Sequence, residues 1–103
     1  MAMPSQATVK KVQDDTLEIS GVVDFYSSPD LLKRTRTQMQ VGADLTISFA
    51  GVERVDSSAA ALMLEWLREA NKRNIKLSYT ALPQMLSSLL AVCGLEGRLP
   101  IQS

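Results

Sequence analysis

Val55-Asp56-Ser57-Ser58-Ala59-Ala60-Ala61-Leu62-Met63-Leu64-Glu65-Trp66-Leu67-Arg68-Glu69-Ala70 is the stretch whose reading decides the fold. It follows an alternating apolar run, Leu45, Ile47 and Phe49, and marks the point where period-two spacing gives way to helical spacing. Asp56 and Ser57 carry side-chain oxygens that can accept from the unpaired N–H groups of a first helical turn, so a helix starting at Asp56 or Ser57 is predicted. On that helix Ala60, Met63, Leu64, Leu67 and Ala70 recur at spacings of three and four, which predicts a face packed on a sheet. Leu62 then points about half a turn away from it, beside Ser58, Glu65 and Glu69, with Trp66 on the flank, and is expected to be open to a partner.

Two readings of this stretch stand side by side. Asp-Ser-Ser before a helix is what capping alone selects, and single exposed apolar residues are ordinary on monomers. The alternative is a docking corner: a carboxylate and two hydroxyls at a helix N-terminus, where the dipole favours negative charge, followed by three alanines that keep the surface flat.

Composition narrows the choice of function. The chain has 103 residues, enough for one domain that buries about 60–70% of its unfolded surface without disulfide or metal. Lysine plus arginine and aspartate plus glutamate are 11 each, so no overall basic field favours nucleic acid. No apolar run approaches the ~18 residues needed to cross a bilayer, and the polar lead Met1-Ala2-Met3-Pro4-Ser5-Gln6 has no signal-peptide pattern; a cytoplasmic protein is expected. The chain contains no histidine, which removes Ser-His-Asp and Cys-His catalysis and the commonest metal ligand. Its five glycines do not form a phosphate loop. Asp56 is a poor base for Ser57 or Ser58 because an ordinary aspartate is already ionised at neutral pH. Cys93 lies in an apolar helical pattern and reads as a structural thiol. A binding module with no cofactor and no metal is expected, not an enzyme.

The rest of the chain supplies the frame. Thr8–Val12 and Thr16–Val23 read as two strands joined at Gln13-Asp14-Asp15, with Gly21 marking a bulge or close approach. Ser27-Ser28-Pro29-Asp30 starts a helix expected to reach about Gln40 and stop at Gly42, with Leu31, Leu32, Thr35 and Met39 inward and Lys33, Arg34 and Arg36 in water. That basic cluster is either a solvated face or the rim of a docking surface. Asp44–Phe49 is a third strand and Ala50–Val55 a bend; the central helix should end near Asn71-Lys72-Arg73-Asn74. Ile75, Leu77 and Tyr79 alternate as a fourth strand. Leu82-Pro83-Gln84 opens a last helix with Leu82, Met85, Leu86, Leu89, Leu90 and Cys93 on one face and Gly94 as its stop, and Leu99–Ile101 is a short edge segment weakened by Pro100. Right-handed crossovers then predict a single α/β domain, a mixed sheet of four to five strands with helices packed mainly on one face.

Ile47 through Leu62, with Val55-Asp56-Ser57-Ser58 at its centre, resembles the core motif of STAS domains, in which a hydrophobic strand and short bend lead into Asp-Ser-Ser-Gly and a leucine at a helix start. Ala59 stands where that motif has its usual glycine. The resemblance implies the STAS fold, and in the phosphoswitch members, which are anti-sigma-factor antagonists, it makes Ser57 the phosphate acceptor. Ser20–Phe25, Leu64–Ala70 and the ending Leu82–Met85 through Cys93–Leu95 are most similar to standalone STAS subunits of bacterial phospholipid ABC transporters. That likeness implies a cytoplasmic accessory subunit, peripheral to the inner membrane, which binds and supports the transporter's ATPase beside a membrane permease and a lipid-binding component. Asp56, Ser57 and Ser58 would then touch the ATPase, Leu62 and Trp66 would add apolar area, and Arg34 would lie on a charged rim.

Overall fold

The computed structural model describes residues 7–102; the polar lead Met1–Gln6 lies outside them. Its elements are β1 (Thr8–Gln13), β2 (Thr16–Val23), α1 (Ser28–Arg36), β3 (Asp44–Val55), α2 (Ser58–Lys72), β4 (Lys76–Thr80) and α3 (Gln84–Val92). The strands lie in the order β1-β2-β3-β4, the first pair antiparallel and the other two parallel. Each parallel step carries a helix, and the right-handed crossover places α1 and α2 on the same side. Leu17, Ile19, Leu45, Ile47, Phe49, Leu77 and Tyr79 point to that side and form one core with Leu31, Met63, Trp66, Leu86 and Leu90 of the helices. Residues of the other parity, Thr16, Glu18, Ser20, Thr46, Ser48, Ser78 and Thr80, are half-buried and polar, as suits a face without helices.

The chain departs from expectation in α1, β3 and α3. Helix α1 ends at Arg36, a turn earlier than predicted, because Thr37 Oγ1 donates back to Arg34 O at 2.7 Å and Arg73 Nη1 takes the carbonyls of Arg36 and Met39 at 3.0 and 3.1 Å. The stop at Gly42 is present with φ 80°. The expected bend at Ala50–Val55 is a continuation of β3, whose register against β2 shifts between Glu18 and Ser20 and again between Gly21 and Val22. Gly21, at φ 90°, sits at the second shift, and a Cβ on Gly51 would collide with the Ser20 side chain, so the bulged ladder requires a glycine at both places. Cys93, expected inside, is exposed at the end of α3, and Met85 is exposed as well, so only Leu86 and Leu90 of that helix are fully covered.

The ends of α2 and α3 follow the sequence closely. Asn74 (φ 55°) and Gly94 (φ 71°) close α2 and α3 with the same pair of bonds, Ile75 N–H to Ala70 O at 2.8 Å and Leu95 N–H to Leu90 O at 2.9 Å. The edge segment is a single bridge between Tyr79 and Ile101, held by Tyr79 N–H to Pro100 O at 2.9 Å and Gln102 N–H to Tyr79 O at 2.8 Å. Pro100 itself has no N–H to lengthen it. Among the described residues no helix is long and apolar enough to cross a membrane.

Candidate functional site

The C-terminal ends of β2 and β3 meet at one corner, and Asp56 ties it together. Its N–H donates to Val23 O at 3.1 Å, its Oδ2 accepts from Phe25 N–H at 3.1 Å, and its Oδ1 accepts from Ser58 N–H at 2.8 Å. Asp56 therefore does the capping: the side chain of Ser57, the residue at the cap position, makes no capping bond. Among the described residues the hydroxyls of Ser57 and Ser58 make no hydrogen bond at all, with Ser57 exposed and Ser58 half-buried. Ser57 is thus held in place by its neighbours and left free at its own functional group. Ala59, in place of the motif's glycine, is buried, its methyl packed into the core rather than added to the surface.

The loop facing this corner is equally fixed. Asp24 Oδ1 accepts from Tyr26 N–H at 3.0 Å and Ser27 N–H at 2.9 Å. Ser27 Oγ accepts from Asp24 N–H at 2.9 Å and donates to Val22 O at 2.8 Å, while Ser28 Oγ donates to Asp24 O at 2.8 Å. These bonds, with the one from Phe25 N–H to Asp56, hold two aromatic side chains outward: Phe25 is 71% exposed and Tyr26 87%, their rings edge to face at 5.7 Å. A hydrogen-bonded loop that displays two adjacent aromatics has little backbone freedom left to lose in a contact. Phe25 and Tyr26 were absent from the sequence-derived site. The signal was there: two neighbouring aromatics between a strand end and a helix cap, where no apolar period can bury them.

Two of the expected contact residues are not on the surface. Leu62 is 4% exposed and Trp66 0%, so α2 is rolled by less than one residue step from the predicted orientation. Its buried stripe is Ala59, Ala60, Leu62, Met63, Trp66 and Ala70, whereas Leu64 is 38% exposed. The cause is Trp66. It buries the most area of any side chain on the helix, and inside the core its Nε1–H donates to Thr35 Oγ1 at 2.6 Å while that hydroxyl donates to Leu31 O at 2.9 Å. Centring the tryptophan brings Leu62 in and turns Leu64 out. Arg34 is exposed on α1 and pairs with Asp30 at 3.5 Å; nearly two turns along α1 from Ser28, it does not meet the Asp56–Ser58 corner.

Beneath the corner, Tyr79 OH donates to Met63 O at 2.6 Å, and burial pushes its phenol well above the ordinary range. Phe49, Trp66 and Tyr79 form a triangle with centroids 5.7 to 6.2 Å apart. Among the described residues no group of three His, Cys, Asp or Glu side chains could hold a metal.

Compared with known proteins, residues 7–102 match the family model described as "Mlab, STAS domain". The chain belongs to the STAS family, of the MlaB type. An anti-sigma-B factor antagonist from Bacillus subtilis strain 168 is 27% identical over 96 residues, covering 92% of this chain and 88% of its own length. Among solved structures, the anti-sigma factor antagonist SpoIIAA in its unphosphorylated form aligns with TM-score 0.69 at 15% identity, over 94% of this chain and 88% of that one. An anti-sigma factor antagonist from Mycobacterium paratuberculosis aligns with TM-score 0.75 at 17% identity, over 94% and 84%. At those identities the structural likeness concerns the fold, which is the STAS fold expected from the motif. The family and these relatives are consistent with a binding protein.

Proposed function

We propose that this STAS domain is the accessory subunit of an Mla-type phospholipid ABC transporter, and that it docks through the Asp56-Ser57-Ser58 corner on the transporter's ATPase and supports its activity. The observation that carries this reading is the exposed Ser57, unpaired at the start of α2 and next to Asp56, whose carboxylate also holds the loop that displays Phe25 and Tyr26. Apolar rings and an uncommitted hydroxyl make a small two-character surface: the rings supply buried area, and the hydroxyl fixes register. The MlaB-type family match supports the choice of an ATPase as partner. In this reading the domain is cytoplasmic and reaches the inner membrane only through its complex.

The test is capture. The chain with Ser57→Glu keeps its fold, since the position is exposed at the start of α2 and a carboxylate is favoured there by the helix dipole, and it no longer copurifies with the ATPase. Unchanged copurification would sink the proposal.

A second reading is favoured by the Bacillus relative: an anti-sigma-factor antagonist switched by phosphorylation of Ser57. A phosphate there would add about 1.5 to 2 negative charges at a helix N-terminus, next to Asp56. Mass spectrometry of the chain from cells separates the two. Stoichiometric phosphate on Ser57 with a kinase partner supports the switch, and an unmodified chain held by a transporter ATPase supports the accessory subunit.

A further inference from the structure

A cleft of about 300 Å³ lies between α3 and the C-terminal segment, lined by Leu82, Ser87, Leu90, Glu96 and Ile101. None of these residues belongs to the Asp56–Ser58 corner or to the loop that faces it. The volume is at the lower end of the range for pockets that take a small molecule, so its occupant is compact.

The backbone sets the walls. Ala81 sits at φ 57°, a left-handed conformation that alanine disfavours, and turns the chain out of β4 so that Leu82 forms one wall. Leu95 N–H donates to Leu90 O at 2.9 Å and Arg98 N–H to Leu95 O at 3.0 Å, which folds the chain after α3 back and brings Glu96 to the cleft. Ile101 is fixed by the bonds that join Pro100 and Gln102 to Tyr79. A cleft whose walls are tied in this way exists before anything enters it.

Its lining has two characters. Leu82, Leu90 and Ile101 are aliphatic, with Leu90 covered and Ile101 partly open to water. Glu96 and Ser87 are the polar members. Among the described residues Glu96 enters no ion pair, although Arg98 is two positions along, and the Ser87 hydroxyl has no hydrogen bond, since Gln84 Nε2 donates to Ser88 Oγ instead. No lysine or arginine lines the cleft, so an anion would meet the Glu96 carboxylate with nothing to offset it.

We propose that this cleft binds an ammonium group carried on a short aliphatic stem, with the nitrogen at Glu96 and Ser87 and the stem on Leu82, Leu90 and Ile101. An ammonium has three N–H donors and can serve both acceptors at once, and its bond to a carboxylate is of the stronger, charge-assisted kind. The stem replaces water over the three aliphatic side chains. The same chemistry is offered by a free alkylamine and by a lysine side chain of a partner. The proposal does not depend on docking to an ATPase.

Residue-resolved NMR titration of the full chain tests this, with n-butylammonium, n-butanol and butyrate as probes at matched ionic strength. The expected result is saturable binding of n-butylammonium at about millimolar concentration, as suits a ligand of few atoms, with shifts centred on Leu82, Ser87, Leu90, Glu96 and Ile101. Butanol and butyrate should bind at least about tenfold more weakly. Glu96→Gln, a change at an exposed position that leaves the rest of the spectrum in place, should weaken n-butylammonium about tenfold, and Ser87→Ala about threefold. An acetylated and amidated Gly-Lys-Gly peptide that binds as well as the free amine identifies a partner's lysine as the source, and exclusion of the peptide identifies a free amine. Equal binding of all three probes, undiminished binding by Glu96→Gln, or shifts scattered over the acidic surface would each overturn the proposal.

Discussion

Two sets of aromatic residues share this small domain and live under opposite rules. Phe49, Trp66 and Tyr79 are wholly buried against one another and have their polar atoms paired, the indole N–H with Thr35 and the phenol with Met63 O. Phe25 and Tyr26 stand in water within a loop whose backbone is fully tied down. The chain has five aromatics in all, so none is spent on incidental surface: each is at the centre of the core or at the corner that includes Asp56 and Ser57. The difference teaches that burial and display are both built by hydrogen bonds, in one case made by the ring's own polar atom and in the other by the backbone beneath it.

The largest effects should come from disturbing the buried set. Leu62→Asp places a carboxylate beside Trp66 in the core without a partner, and the chain should not fold, as read by circular dichroism; a folded Leu62→Asp chain would mean that α2 is rolled the other way. Trp66→Ala should cost about 3–5 kcal/mol in denaturant unfolding, because a large cavity opens and the Thr35 hydroxyl loses its donor. Tyr79→Phe keeps the ring but removes the phenol's bond to Met63 O, which still accepts within α2, at a cost of about 0.5–1.5 kcal/mol. It should also change the pH profile. The raised phenol pKa means that the folded state holds this proton more tightly than the unfolded one, so the stabilisation is complete below the ordinary tyrosine pKa of about 10 and is lost as pH climbs above it. Parent protein should therefore lose stability in strong base more steeply than Tyr79→Phe.

How much of this was legible in the sequence depends on the kind of information involved. The order of elements, the three helices and the stops of α2 and α3 could be read because period and punctuation are local: Pro29, Asn74 and Gly94 act within their own turn. The orientation of α2 could not be read. Leu62, Leu64 and Leu67 are chemically equal on the helix, and the choice among them is made by Trp66 reaching Thr35, thirty-one positions away. The length of β3 was hidden for a similar reason, since Ala50–Val55 has a bend's composition and is held extended only by the bulged pairing with β2. Asp56 and Ser57 were visible as a corner because capping is local, but which one caps was not: the answer lies in Asp56 also accepting from Phe25 on another loop.

That shared acceptor gives an intermediate test. Asp56→Ala removes both the bond to Ser58 N–H and the tie to the Phe25 loop, and should cost about 1 kcal/mol, near the usual value for a lost cap. If the loop is organised by Asp56, the variant should also lose ATPase capture well beyond its loss of stability, since Phe25 and Tyr26 would then have to be ordered on binding.

The smallest effect on stability should come from the displayed pair itself, and it is the sharpest test of the division. Phe25→Ala with Tyr26→Ala removes two rings that cover no core, so unfolding in denaturant should shift by no more than about 0.5 kcal/mol. Capture should fall at least about tenfold, since aromatic anchors dominate the binding energy of most interfaces. A comparable loss in both measurements would show that the rings support the fold and that the display is incidental. A loss in neither would remove them from the contact and leave Ser57 to carry it. Stability kept and capture lost is the outcome that the bonds under the loop imply, because Asp24 and Asp56 grip the backbone of residues 25–27, and those bonds survive when the side chains are gone.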